Sequence, residues 1–599
     1  MKSLPIFFIL TVLSVSSYTQ EFKEEKLYYK NGKIKEEGLL QMGQRTGTWI
    51  FYTPEGIKSA EIDYYKDMLH GLNKVYYDDG KTVMEEYNYW ANQRHGWFAE
   101  YYENSLPRLK GFYHSNQKDS IWQYFYEDGK LKSEVKYKKG ILEGIISFYT
   151  PKGEQTVKNG FGYIVNYHDN NMKKSEGKVE NGLEHGLWTY YFPNGKKSSE
   201  GHYINGERTG TWYEWYENGN LKSEINTQSG MNIYYTYDGK KEMEGKMIDG
   251  KREETWTYWY PSGQIRSINN YKEDLRHGVQ IKYYENGNKQ SEIYFENGKR
   301  EGPAYFWFED GKKDIEGNFK NDLQNGLWTY WRTDGQKGNE GYFVDGKMHG
   351  IWTYWYGNGQ IWKEAEYNMG VKHGKWIIYY ENGNLFRKGQ FENDKEIGLW
   401  KEWYDDGQLK LEGNFENGIM TGKWTGYHEN GVKKSLIEYK NGLINGKSYF
   451  WFPNGKPQTF ENYKIIVRES KDTPDKILIE TSVLHGKYQV FNIKGIEVIS
   501  GEYFQNLRNG KFVYRNENGG IIREETYKMD KPDGVWKTYY DFGRLESEVN
   551  YKNGVKEGKA TYYDHRGNIT FQAIYKAGRQ TDILFDSSVK QGDNNPVRK

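Results

Sequence analysis

The sequence predicts an all-β fold, an elongated repeat protein in which antiparallel β-hairpins stack into a long twisted sheet. Three observations lead there. Asn-Gly or Asp-Gly turns recur along the 599-residue chain, and from Gly263 to Gly455 their glycines fall at unbroken steps of 24 residues. The segments between them are rich in Tyr, Trp, Thr and Ile, residues that fit a pleated, half-buried surface. With 56 Tyr, 21 Trp, 27 Phe and 69 Gly, the chain can bury much flat ring surface but opposes long helices.

The elements follow in order. Residues 1–20 read as a signal peptide, with Lys2, an apolar run from Leu4 to Val15, and small polar residues up to Gln20. Export to the periplasm, the envelope or the exterior is therefore expected. Residues 21–456 form a first hairpin array and 488–580 a second, with about 23 units counting the degenerate turns. Between them, 457–487 is an irregular insertion containing the turn-rich stretch Lys471-Asp472-Thr473-Pro474-Asp475-Lys476. Residues 581–599 form a polar tail.

Within a unit, two-residue type I′ turns with positive φ at both central residues would set the register. The residue seven before the turn glycine then faces the residue six after it. The first position is Trp at 49, 122, 188, 212, 256, 328, 352, 376, 400, 424 and 536. Gly201, Gly341, Gly389 and Gly413 lie opposite Trp188, Trp328, Trp376 and Trp400, and Ala365 lies opposite Trp352, so each ring is expected to cover its small cross-strand partner. The other face carries an aromatic four before the turn, including Trp215, Trp259, Trp331, Trp355 and Trp403. It also carries a glutamate five after the turn, including Glu200, Glu224, Glu316, Glu364 and Glu412. This wet, exposed face is the candidate interaction surface.

The pattern resembles the MORN repeat variant of bacterial proteins, Y-x-x-G-x-x-x-G-x-W-x-x-Y-Y-x-N-G-x-x-x-x-E-G, over roughly residues 26–580. The resemblance implies stacked β-hairpins acting as scaffolds or interaction surfaces. Some relatives are held to contact phospholipid, and some bacterial ones are filed as antitoxins of toxin-antitoxin systems. The export leader and the length depart from that cytosolic role.

Nothing in the chain reads as chemistry. There is no cysteine, hence no disulfide or thiolate metal site. His70, His95, His185, His277, His349, His373 and His485 each precede a repeat glycine, but Thr46, Thr209, Asn325 and Glu557 occupy the same slot. Gly442 to Ser448 has one residue too few for a phosphate loop and precedes a strand. No catalytic residue, cofactor or metal site is predicted, and the chain is read as no enzyme. The 84 basic and 83 acidic side chains balance, which argues against nucleic acid and weakens a lipid partner. The leading function is an exported protein-binding scaffold at the cell envelope. A carbohydrate or cell-wall binder is the main rival, because rows of Trp and Tyr can stack on sugar rings. Phospholipid binding and an antitoxin role follow.

Overall fold

In a computed structural model, residues 21–469 and 477–588 are described. They form 52 β-strands and no helix. The signal-peptide expectation for 1–20 lies outside the described residues, as do 470–476 and 589–599. The chain forms two units, Met1–His277 and Gly278–Lys599. In each, strands follow one another in sequence and pair antiparallel with the next, as stacked hairpins require. The fold is all-β, as the sequence predicts.

Two different loops alternate, and only one is the expected type I′ turn. The strands Lys197–Ile204 and Glu207–Trp215 are joined by Asn205-Gly206, both at positive φ (51° and 79°). That is the two-residue I′ connection. The strands Leu183–Tyr191 and Lys197–Ile204 are joined differently. Gly195 N donates to Phe192 O (2.9 Å) and Phe192 N donates to Lys196 O (2.8 Å), and only Gly195 is left-handed, at φ 82°. This is a three-residue type I turn closed by a left-handed glycine. By itself it would shift the pairing by one. A bulge between Tyr190 and Tyr191 absorbs the extra residue, so Trp188 still faces Gly201. Two departures from the expected geometry cancel, and the predicted register holds: Trp328 faces Gly341, Trp352 faces Ala365, Trp376 faces Gly389 and Trp400 faces Gly413.

The cover over each glycine is not the expected one. Many hairpins carry a second, larger bulge: Lys178 pairs with His185 but Gly177 pairs with Trp188, which leaves Gly186 and Leu187 without opposite numbers on the preceding strand. The bulge tilts the indole back onto the preceding strand. Trp188 therefore lies on Gly177, Trp212 on Gly201, Trp352 on Gly341 and Trp424 on Gly413. A Cβ at any of these glycines would sit well inside contact distance of the ring. The bulge also strips a carbonyl of its ladder partner, and the indole replaces it: Trp188 Nε1 donates to Lys178 O (2.9 Å), Trp256 to Lys246 O (3.0 Å) and Trp352 to Tyr342 O (3.0 Å). One side chain thus buries its ring and satisfies the polar group its own bulge exposes. Trp122 and Trp400 are buried in the same way, without an indole hydrogen bond.

At three hairpins where the glycine is replaced, the ring is replaced too; at Glu525 it is not, and Trp536 remains. Ile293 faces Ala304, Ile437 faces Ser448 and Val549 faces Ala560, all three small residues being buried where tryptophan stands elsewhere. Trp376 meets Ala365 and is only half-buried. In the Ile293–Ala304, Ile437–Ser448 and Val549–Ala560 pairs, size is exchanged between the partners, as close packing favours. The phosphate-loop-like Gly442 to Ser448 is one such site, with Ser448 in the tryptophan position of the strand Leu443–Trp451.

Turns are bonded from hairpin to hairpin. Asn194 Oδ1 accepts from Lys196 N (3.0 Å) while its Nδ2 donates to Glu217 O in the next turn (3.2 Å). Asn358 and Asn382 repeat this. Asp310 has no side-chain donor for this, and there Lys312 Nζ donates to Thr333 O (2.9 Å) of the next turn. Tyrosines three before the turn add a second rung, as in Tyr356 Oη to Tyr379 O (2.9 Å) and Tyr404 Oη to Tyr427 O (2.8 Å).

Two stretches differ from expectation. Much of 457–487 is regular: the strand Pro457–Glu469 pairs with Leu478–Leu484 from Tyr463–Leu484 out to Glu469–Leu478, a lengthened hairpin rather than an irregular insertion. Lys471 to Lys476 lie outside the described residues. The tail also begins later than expected, because Arg579–Asp586 forms a strand on Ile569–Lys576.

Candidate interaction face

Alternation along each strand places residues eight, six and four before the turn glycine on the face opposite the buried tryptophans. The candidates Trp215, Trp259, Trp331, Trp355 and Trp403 and the glutamates Glu200, Glu224, Glu316, Glu364 and Glu412 all stand there. None is exposed; all ten are half-buried and most are engaged with one another's hairpins. This corrects the expectation of an open aromatic and carboxylate ladder, and the reason is a second set of internal pairings.

Each aromatic meets the preceding hairpin in one of two ways. Where it is tyrosine, its hydroxyl donates to that hairpin's glutamate: Tyr235 to Glu224 (2.6 Å), Tyr379 to Glu364 (3.1 Å) and Tyr427 to Glu412 (3.0 Å). Where it is tryptophan, as at Trp215, Trp259, Trp331 and Trp355 but not at Trp403, a lysine two after the preceding turn lies over the ring. Lys197 is 5.7 Å from the Trp215 centroid, Lys241 5.6 Å from Trp259, Lys313 5.2 Å from Trp331 and Lys337 5.7 Å from Trp355. The same lysines hold the glutamates, Lys197 on Glu200 (2.6 Å) and Lys313 on Glu316 (2.9 Å). Glu200 also accepts from Thr189 Oγ1 (2.8 Å), and Glu412 pairs with Lys401 (2.9 Å).

The electrostatics follow these contacts. The Lys401 ammonium, with help from the Tyr427 hydroxyl and against the opposing effect of burial, holds Glu412 below the usual carboxylate range. Burial pushes Glu200 up, but Lys197 and Thr189 outweigh it and the net direction is down. Burial and the Glu224 carboxylate together push Tyr235 up to about 12. These are repeated structural pairings, with no single pair of carboxylates set apart. Among the described residues, no group of three or more His, Asp or Glu could hold a metal ion.

What the face does expose was missed in the sequence. The residue after the second glycine, looped out by the large bulge, is pushed into solvent: Leu187 is 49% exposed, Ile351 53%, Leu399 50% and Trp97 68%. Leu327, Tyr342 and Ile351 lie exposed on three successive strands, and Leu327 and Tyr342 are direct cross-strand partners. The sequence signal was an apolar residue following the glycine in G-L-W or G-I-W, which simple alternation assigns no special place.

Twelve segments match the family model of the MORN repeat variant, at residues 23–41, 118–139, 184–205, 208–229, 255–273, 276–297, 300–321, 348–369, 372–393, 396–417, 420–441 and 532–553. The chain is built of MORN-variant repeats. Each match within 184–441 carries the bulge, the turn pair or both, so the family's pattern is the hairpin geometry described above. MORN repeats in general are non-catalytic interaction repeats. No curated protein matches the chain. Among solved structures, the TcdB2–TccC3 complex with Cdc42 is similar over 93% of this chain and 31% of its own, at 10% identity and a TM-score of 0.12. A mutant Tc holotoxin pore of Photorhabdus luminescens is similar over 96% of this chain and 33% of its own, again at 10% identity and 0.12. The MORN-variant chain thus spans about a third of the length of these proteins, and at such scores the likeness carries neither fold nor function.

Proposed function

We propose that this MORN-repeat chain is an exported, non-enzymatic scaffold that binds a protein partner at the cell envelope, without cofactor or metal. The observation behind this reading is the row of exposed apolar side chains on the polar face, of which Leu327, Tyr342 and Ile351 are one stretch. Two charged pairs beside this stretch, Lys313–Glu316 and Lys337–Glu340, are already satisfied within the fold, so covering the apolar groups need not strip them of their partners. Aromatic and aliphatic anchors inside a rim of satisfied polar groups are the anatomy of protein interfaces. Repetition adds weak contacts through multivalency. The apolar leader-like start of the sequence supports export.

The lysines lying over Trp215, Trp259, Trp331 and Trp355 weigh against a general sugar-stacking ladder, because a ring face held by an ammonium is not free for a pyranose. Affinity capture from the native envelope fraction, run beside a glycan panel and liposome flotation, tests the reading. A protein retained in fixed stoichiometry is the expected result. Retention on a neutral glycan or on vesicles with no captured protein would replace it.

A further inference from the structure

One hairpin breaks the pattern of the polar face in three ways at once. At the position five after the turn, Glu316, Glu340, Glu364 and Glu412 carry carboxylates, but Lys388 stands between Glu364 and Glu412. Its cross-strand partner is Lys401, so two like charges face each other, an arrangement that costs stability in a sheet. At the position two after the turn, where Lys313 and Lys337 cover the rings of Trp331 and Trp355, Leu385 leaves Trp403 without an ammonium over it. Around these residues lies an open cavity of about 570 Å³, lined by Lys375, Leu385, Lys388, Leu399, Lys401 and Trp403 among others. Of its three lysines, Lys401 is neutralised by Glu412 at 2.9 Å. Lys375 and Lys388 are exposed, and neither ammonium has an ion pair.

We propose that this cavity binds a carboxylated sugar ring of an acidic polysaccharide, at a site that shares only Leu399 with the looped-out apolar residues and does not rest on the protein-binding reading. The volume suits a small ligand. The indole of Trp403, flanked by Leu385 and Leu399, offers an apolar wall for the C–H face of a pyranose. Lys388 and Lys375 offer charge-assisted donors to its carboxylate. An acidic peptide or free phosphate would use the lysines but not the ring, so the tryptophan argues for the sugar.

The pattern of the repeat supplies the test, because two substitutions would restore it. Lys388→Glu puts back the ladder carboxylate opposite Lys401, and Leu385→Lys puts back the ammonium over Trp403. Both should fold at least as stably as the native chain, as circular dichroism melting would show. Isothermal titration of the full chain at low salt with tri-galacturonate should show binding. Its methyl ester, lacking the charge, should bind at least about tenfold more weakly, the worth of one charge-assisted contact. Each variant should lose a similar factor. No binding of tri-galacturonate would overturn the proposal. So would native affinity in both variants, or equal affinity for a glutamate-rich peptide or inorganic phosphate.

Discussion

A single tryptophan does two jobs in this fold, covering a glycine on the preceding strand and donating to the carbonyl that its own bulge frees. If that is so, size must be exchanged between the pair and cannot be added to one member. Gly341→Val places a branched side chain against the Trp352 ring and should cost about 1–3 kcal/mol by overpacking, or more if the ring cannot move. The double variant Gly341→Val with Trp352→Ala recreates the Ile293–Ala304 and Val549–Ala560 pairs, and should regain most of the loss. Urea unfolding midpoints check this, and additive losses in the double variant would contradict it. At this scale the sequence was a partial guide. Trp352 facing Ala365 was legible from spacing, because the pairing across the turn depends only on counting. That Trp352 lies on Gly341 instead was not, because a two-residue bulge leaves no mark on a glycine-rich repeat. The exposure of Ile351 was hidden for the same reason.

The hairpin as an element is fastened by ionisable groups, which fixes how its stability should vary with pH. Lys26 and Tyr52 hold Glu37 below its ordinary value, and Lys401 does the same for Glu412. A carboxylate depressed in the folded state stabilises it above the unfolded pKa, and that contribution is lost as pH falls through the folded one. On the alkaline side, the Glu37 carboxylate, together with burial, raises Tyr52 to about 12. A hydroxyl raised above its ordinary 10.0 contributes fully below that value, and the contribution is lost as pH rises toward 12. Unfolding midpoints measured across pH should therefore form a plateau from about 5 to about 10, falling on both sides. Tyr52→Phe should reduce the alkaline fall by one tyrosine's share, since Tyr101, Tyr191 and Tyr235 are raised in the same way. A midpoint that rises steadily through either limit would contradict the pairing. The glutamate and aromatic ladders themselves were legible as periodic positions. Their mutual engagement was not, because Tyr235 and Glu224 come from neighbouring strands whose side-chain reach depends on the bulges.

At the scale of the whole molecule, a repeat protein is a sum of units and their nearest-neighbour contacts. Deleting one period of 24 residues, 336–359, joins equivalent points of neighbouring hairpins and should leave a folded chain of unchanged strand content. Deleting 23 turns every following side chain to the wrong face and should disrupt pairing locally. Circular dichroism and limited proteolysis distinguish the two, and equal tolerance of both deletions would contradict register-specific stacking. The 24-residue beat made this architecture legible from the sequence. The division at His277 and Gly278 was not, since the spacing is regular on both sides of it. The functional claim rests on the looped-out apolar row, and one comparison tests it most directly. Leu327→Ser, Tyr342→Ser and Ile351→Ser, combined in one chain, alter three exposed side chains. The expected result is an unchanged melting temperature with loss of the protein partner captured by the native chain from its envelope fraction. Undiminished capture by the folded triple variant would contradict it.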